Sequence, residues 1–469
     1  MMKNTFIYGY TTSSVCINNL PKVLEDEKVC KVVSTVGEAG TDYDIRSFFY
    51  GTFPKRPYRG CPDEIYDKVY PCLLRYLDMI DRYHRFENKF YPDYFDNFNR
   101  VLDFFYAEFV DKKIERVIFL NVMHDGTDVL IYNLAKAMDI PVIITCPSLF
   151  ADRFYFSYDL EDFGGFSQNP VITPPEPYTL PRQHEKDLFY VRSNLQPFDY
   201  PFSTLRRHFK TYRWTAVMFY LKTKSFRKAW QSIIVPESDV DLSAPFVYFP
   251  LHYQPEMTTT GLGGRYIDQM LALERISRII PKDWFIYVKE SIHQSFEFRG
   301  DWFFERMKAL PNIKLVPFEM NTYSLIQHSK FVATITGTAG WEAVSGGKSA
   351  VIFGQAWYTN FPGVFQYTET LDPYALANYE IDHDALEGAV SRLISRTGQG
   401  VLDPNFIATS AYKDNFDGKK NVHTLAKSLA KIIAHQDAMD TESSELTTKL
   451  QEPELVLTAR QDTGEPYAP

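Results

Sequence analysis

The stretch of this chain best suited to chemistry is Thr334-Ile335-Thr336-Gly337-Thr338-Ala339-Gly340-Trp341-Glu342. A predicted strand ends in small residues and passes straight into a predicted helix. The first N–H groups of such a helix lack intrahelical acceptors and stand at its positive end, which suits phosphate. Thr336, Gly337, Thr338, Ala339 and Gly340 form the expected cradle, the glycines for close backbone approach and the threonines as hydroxyl donors. Glu342, read as part of the first helical turn, is expected to accept from ribose hydroxyls. A tight βα turn with a helix-stabilising glutamate is the purely structural alternative. The run is neither a Walker A loop nor G-x-G-x-x-G, so it indicates neither a nucleoside triphosphatase nor a dehydrogenase.

Four other strand ends carry polar residues suited to a site. Pro250-Leu251-His252-Tyr253-Gln254-Pro255-Glu256 runs into a loop containing Gly263 and Gly264. His252, Gln254 and Glu256 make this turn more polar than a connection requires. His124-Asp125-Gly126-Thr127-Asp128 follows another predicted strand, and His124 and Asp125 are candidates for general acid or base. Asp128 serves equally well as a helix cap. Asp152 and Arg153 occupy the corresponding place one βα unit later, as candidate substrate contacts. Lys289, at the end of Phe285–Val288, would neutralise a phosphate or a sugar carboxylate. Asp42-Tyr43-Asp44 matches a D-x-D metal motif, but a three-residue match is common by chance, and no metal site is assigned.

The elements positioning these residues repeat one pattern. In the first half, predicted strands at Phe6–Tyr8, Lys31–Val33, Val117–Leu120 and Val142–Ile144 alternate with helices. Continuous apolar strands separated by helices indicate a parallel sheet. The second half repeats the alternation, with strands at Phe246–Phe249, Phe285–Val288, Ile313–Val316, Phe331–Ile335 and Ala350–Phe353. The expected architecture is α/β, two Rossmann-like domains facing a cleft, with ligands at the carboxyl ends of the strands. Residues 1–235 form the first domain, including a proline- and aromatic-rich connection and a basic helix at Leu205–Val235. Residues 241–415 form the second, 416–435 a C-terminal helix, and 436–469 a disordered tail.

Composition removes several classes. A net charge of −9 argues against a general nucleic-acid binder. There is no run long and apolar enough to cross a membrane, and the N-terminus lacks the pattern of a signal peptide. Five scattered cysteines without a C-x-x-C pair form neither a zinc knuckle nor a disulfide framework and suit a reducing cytoplasm.

The segments FPLHYQPE, YVKE and TITGTAGWEAVSGGKSAVIFG, within 246–365, resemble the capsule polysaccharide biosynthesis family, which includes bacterial Kdo transferases. MHDGTDVLIYNLAKAMDIPVIITCPS, followed by DRF, is similar to the first domain of longer members. The resemblance implies a GT-B fold, a nucleotide held by the second domain, and a CMP-activated acidic sugar such as Kdo as donor. It places the family's proposed nucleophile at Glu256, puts His252 where the family has glutamine, and carries a first-domain acid onto Asp125. The family's His-Pro pair, expected at Ser291-Ile292 to contact the donor phosphate, is missing, and His293 stands one or two positions late.

The resulting expectation is a metal-independent glycosyltransferase needing no cofactor beyond its nucleotide-sugar donor. It would extend a surface polysaccharide or glycolipid from the cytoplasm, with the basic helix available to the inner face of the membrane. A non-catalytic carbohydrate-binding protein on the same scaffold and a sugar-nucleotide epimerase are the alternatives.

Overall fold

The computed structural model describes residues 2–84, 87, 89–180, 197, 198, 200–254, 257–295, 298–300 and 302–451. Thirteen strands occur among them: β1 Asn4–Tyr10, β2 Lys31–Gly37, β3 Tyr43–Asp44, β4 Arg116–Phe119, β5 Val142–Pro147, β6 Arg153–Ser157, β7 Phe246–Pro250, β8 Phe285–Lys289, β9 Ile313–Val316, β10 Phe331–Thr334, β11 Ala350–Ile352, β12 Val364–Gln366 and β13 Gly398–Gln399. They form two sheets, ordered β13-β6-β5-β4-β1-β2-β3 and β12-β11-β10-β7-β8-β9.

The inner strands are parallel, as their continuous apolar character predicts. β4 (RVIF) and β5 (VIITCP) are buried at every position because helices cover both faces of the sheet. In each sheet the order reverses beside the first strand of the unit, between β1 and β4 and between β7 and β10. Such reversal points open crevices at the carboxyl ends of parallel strands. The helix Tyr91–Asp111 buries Phe98, Val101, Leu102, Phe105 and Phe109 at helical spacing against the first sheet. Phe6 of β1 meets Phe105 edge to face, ring centres 5.9 Å apart. Much of the aromatic content is therefore core.

Two parts of the chain depart from the expected plan. β6, within the expected irregular connection, pairs antiparallel with β5, and β13 returns from beyond the second sheet to pair with β6. The C-terminal helix runs from Gly418 to Gln451, so the tail expected from Gln436 begins as ordered helix. The cause lies beneath it. Arg116, 1% exposed, donates from Nε to Gln436 Oε1 at 3.0 Å and pairs with Asp437 at 2.5 Å. Gln436 in turn donates to the Val142 carbonyl at 2.8 Å. Residues 452–469 lie outside the described residues.

Truncation after His435 is thus expected to cost about 2 kcal/mol, the scale of unpairing a buried polar group, and to lower Tm by several degrees. Calorimetry checks it. An unchanged Tm would show that Gln436 and Asp437 do not dock.

Candidate active site

The reversal point of the second sheet opens onto a cleft of about 540 Å³. Pro250, Leu251 and His252 line it at the end of β7, and Thr336, Gly337, Thr338 and Ala339 line it after β10. Cys146 and Pro147 from β5 and Tyr155 from β6 close the other side, so both sheets contribute. The helix Thr338–Ser345 starts at Gly337, and no side chain caps it. An uncapped helix start in a cleft is the phosphate-binding arrangement expected from sequence.

His252 is a fixed wall of this cleft. Its Nδ1 lies 2.7 Å from Thr259 Oγ1 and its Nε2 2.7 Å from Thr334 Oγ1. The Ile335 N–H also points at Nε2, from 3.3 Å, which makes Nε2 the acceptor and leaves the ring proton on Nδ1. Burial, assisted by the nearby Arg299 cation, depresses its pKa to about 3. A ring so held stays neutral and orders the Thr334–Gly337 turn, so the geometry gives this catalytic candidate a positioning role. Gly337 is needed because a Cβ there would lie 2.9 Å from the His252 ring and 3.0 Å from Thr334 Oγ1. The Tyr358 hydroxyl donates to the Gly337 carbonyl from the other side.

A second cavity, about 490 Å³, occupies the reversal point of the first sheet and adjoins the first, the two sharing Pro147 and Asp403. His124, Asp125 and Asp128 line it with Tyr8, Tyr10 and Tyr50. Asp128 closes the loop, accepting backbone N–H groups of His124, Asp125, Gly126 and Val129 at 2.6–3.1 Å. Capping was the structural alternative for Asp128, and the geometry selects it. Asp125 is 2% exposed and accepts from the Tyr8 hydroxyl at 2.8 and 2.9 Å. Burial first, and then the Asp128 carboxylate, raises the Asp125 pKa to about 7. Burial raises Asp128 too, and its four backbone donors pull in the opposite direction. His124 Nδ1 is 2.7 Å from the Val122 carbonyl, which can only accept. In the neutral ring Nε2 is then the basic nitrogen. The cavity thus holds a carboxyl that titrates near neutrality and an imidazole in the tautomer of a base.

The remaining expected site residues fall elsewhere. Glu342 is the fifth residue of its helix, not in the first turn, and does not line the cleft. Burial raises its pKa to about 7 against the opposing pull of Lys289. Lys289 Nζ donates to the Met320 carbonyl at 2.5 Å and to Thr322 Oγ1 at 2.9 Å, tying β8 to the loop after β9. Gly340 lies inside the helix, where a Cβ would come 2.4 Å from the Tyr358 hydroxyl, so its role is close packing. Gln254 donates to the Ile267 carbonyl at 2.6 Å and accepts from Arg299 at 3.0 Å. Gly263 and Gly264 line a separate cavity beside Arg265. Asp152 accepts from Ser410 Oγ at 2.5 Å, and Arg153 donates to Thr173 at 3.0 Å. Asp152 precedes and Arg153 opens the antiparallel strand β6, not another parallel βα unit, and their contacts are with the chain itself. Glu256 lies outside the described residues.

Sequence reasoning noted His293 without giving it a role and passed over Asp403, Asn405 and Phe406, which arrive from far down the chain; all four line the main cleft. Asp42 and Asp44 have local duties, accepting from Thr35 and capping the helix Ile45–Phe49.

Residues 297–394 match the family described as capsule polysaccharide biosynthesis protein, and this block includes the Thr336–Ala339 turn. The resemblance to that family holds. No curated protein matches the chain. Among solved structures, the KpsC β-Kdo 2,4-transferase of Thermosulfurimonas dismutans is similar at 12% identity and TM-score 0.29, covering 59% of this chain and 79% of its own. The UDP-GlcNAc 2-epimerase of Methanocaldococcus jannaschii, in complex with UDP-GlcNAc and UDP, is similar at 9% identity and TM-score 0.26, covering 84% and 99%. The glycosyltransferase SnogD of Streptomyces nogalater is similar at 9% identity and TM-score 0.23, covering 84% and 94%.

Proposed function

We propose that the protein is a glycosyltransferase of the GT-B type, holding a nucleotide-sugar in the main cleft and an acceptor hydroxyl in the cavity beside it. The observation that carries this is the junction of the two cavities at Pro147 and Asp403. These two residues wall both cavities, one holding an uncapped helix start and the other a proton-accepting pair.

In the proposed reaction the bond between the anomeric carbon and the donor phosphate breaks, and a bond to the acceptor oxygen forms. The departing phosphate takes its stabilisation from the N–H groups and dipole that begin at Gly337 and from the Thr336 and Thr338 hydroxyls. The acceptor proton passes to His124 Nε2 or to ionised Asp125. If the reaction retains configuration, Glu256 is the nucleophile that the family resemblance nominates. The favoured donor is a CMP-activated acidic sugar such as Kdo, and the favoured acceptor a polysaccharide or glycolipid at the cytoplasmic side of a membrane. Catalysis is proposed to need no metal.

A thermal-shift screen of CMP-, UDP-, GDP- and dTDP-sugars tests the donor site, because saturating ligand at about 100 times Kd adds about 2.7 kcal/mol. One class should respond. Gly337→Val should abolish the response by driving the His252 ring out of place, with some loss of Tm. Thr338→Val should weaken binding at least about threefold, the effect of one lost hydrogen bond, while keeping the wild-type Tm. Silence from every nucleotide-sugar would sink the proposal. Conversion of the donor to an epimeric nucleotide-sugar without acceptor and without net release of nucleotide would favour the epimerase alternative.

A further inference from the structure

The helix Phe202–Gln231 carries eight basic residues and no acidic one, in a chain of net charge −9. Its +8 leaves −17 on the remainder. Two helical segments meet at Arg213, whose φ of 45° and ψ of −119° interrupt the repeat. In the second segment Ala216, Thr223, Phe226 and Trp230 are buried, and Phe226 packs on Phe304 with ring centres 4.9 Å apart. One side of the helix is thereby fastened to the second unit.

The opposite side is apolar too. Trp214, Met218 and Leu221 are 75%, 65% and 54% exposed. Their i, i+4, i+7 spacing sets them within an arc of about 60° on a helix of 3.6 residues per turn. Lys222 falls on one flank of this ridge, and Lys224 and Lys228 on the other. Across the joint the ridge continues into Phe209, 42% exposed, whose ring centre is 6.4 Å from that of Trp214. Arg206, Arg207 and Lys210 surround that end.

We infer that this outer face docks on the surface of an anionic phospholipid bilayer. Tryptophan and long apolar side chains enter the headgroup boundary, while flanking lysines extend their ammonium groups to phosphates. No helix among the described residues is long and apolar enough to cross a membrane, so the contact is superficial. A soluble polyanion would use the charges and leave the ridge in water. A second copy meeting the same face would set the flanking lysines and arginines of one helix against their like-charged counterparts. The inference rests on this helix and not on the transferase proposal.

The full chain should sediment with phosphatidylcholine vesicles containing phosphatidylglycerol at low salt, and far less with phosphatidylcholine alone or at high salt. Replacing the ridge, as Trp214→Glu with Met218→Glu and Leu221→Glu, should lower partitioning by about tenfold or more. The same protein should keep its Tm and its nucleotide-sugar response. Leu221→Ser, a milder change, should give a smaller loss in the same direction. Lys224→Glu with Lys228→Glu should remove the preference for phosphatidylglycerol. Wild-type protein left in the supernatant, or ridge variants that sediment like wild type, would overturn the inference. So would capture by soluble dextran sulfate that the ridge variants retain in full while vesicles capture nothing. Sugar transfer by a protein that ignores vesicles would overturn this inference alone.

Discussion

Asp125→Asn is expected to lower turnover by at least about a hundredfold, the usual scale for a positioned acid or base. The change keeps size and leaves an acceptor for the Tyr8 hydroxyl and the Asp128 N–H, which bond Asp125 at 2.8 and 3.1 Å. It removes only the ability to titrate. With the wild-type carboxyl at about 7, the pH–rate profile should carry a limb near neutrality, belonging strictly to the Asp125–Asp128 pair. That limb should vanish in the variant. Stability moves oppositely. A carboxyl raised above its unfolded value of about 3.9 contributes stability fully only below that value and loses it as pH rises through about 7. Asp125→Asn should therefore match or exceed wild-type Tm at pH 8 while being nearly inactive. Full activity with the neutral limb intact would remove Asp125 from the chemistry.

Arg299→Leu should cost about 3–5 kcal/mol, the scale for stranding one member of a buried ion pair. Arg299 and Glu290 have fully buried side chains and lie 2.6 Å apart. The guanidinium also donates to the His252 carbonyl at 2.7 Å and to Gln254 Oε1 at 3.0 Å. Its loss leaves a carboxylate without a counter-ion and frees the loop that carries His252, so donor binding should fall with stability. Replacing both partners, as Arg299→Met with Glu290→Met, should recover much of the stability because no lone charge remains. Denaturant midpoints of the transition involving the second sheet measure both. A cost below about 1 kcal/mol for the single change would show that the pair is not desolvated.

By itself the sequence determined what depends on neighbours a few residues apart. Unbroken apolar runs such as Phe246–Phe249 mark strands buried on both faces, and their alternation with helices specifies parallel sheets. Small residues between β10 and its helix mark the Thr336–Ala339 turn, because only such residues let a ligand approach the backbone. His124 and Asp125 were likewise legible at a strand end. Tertiary structure decided which strand ends face one another and which polar groups reach the ligand space. Lys289 is drawn to the Met320 carbonyl, while His293 reaches the cleft. Arg116 finds Gln436 at a separation of 320 residues, which docks the first residues of the expected tail as helix. Periodicity reports only which face of a segment is apolar. The partner of a buried charge is set by the requirement that it be satisfied somewhere, and no local pattern says where.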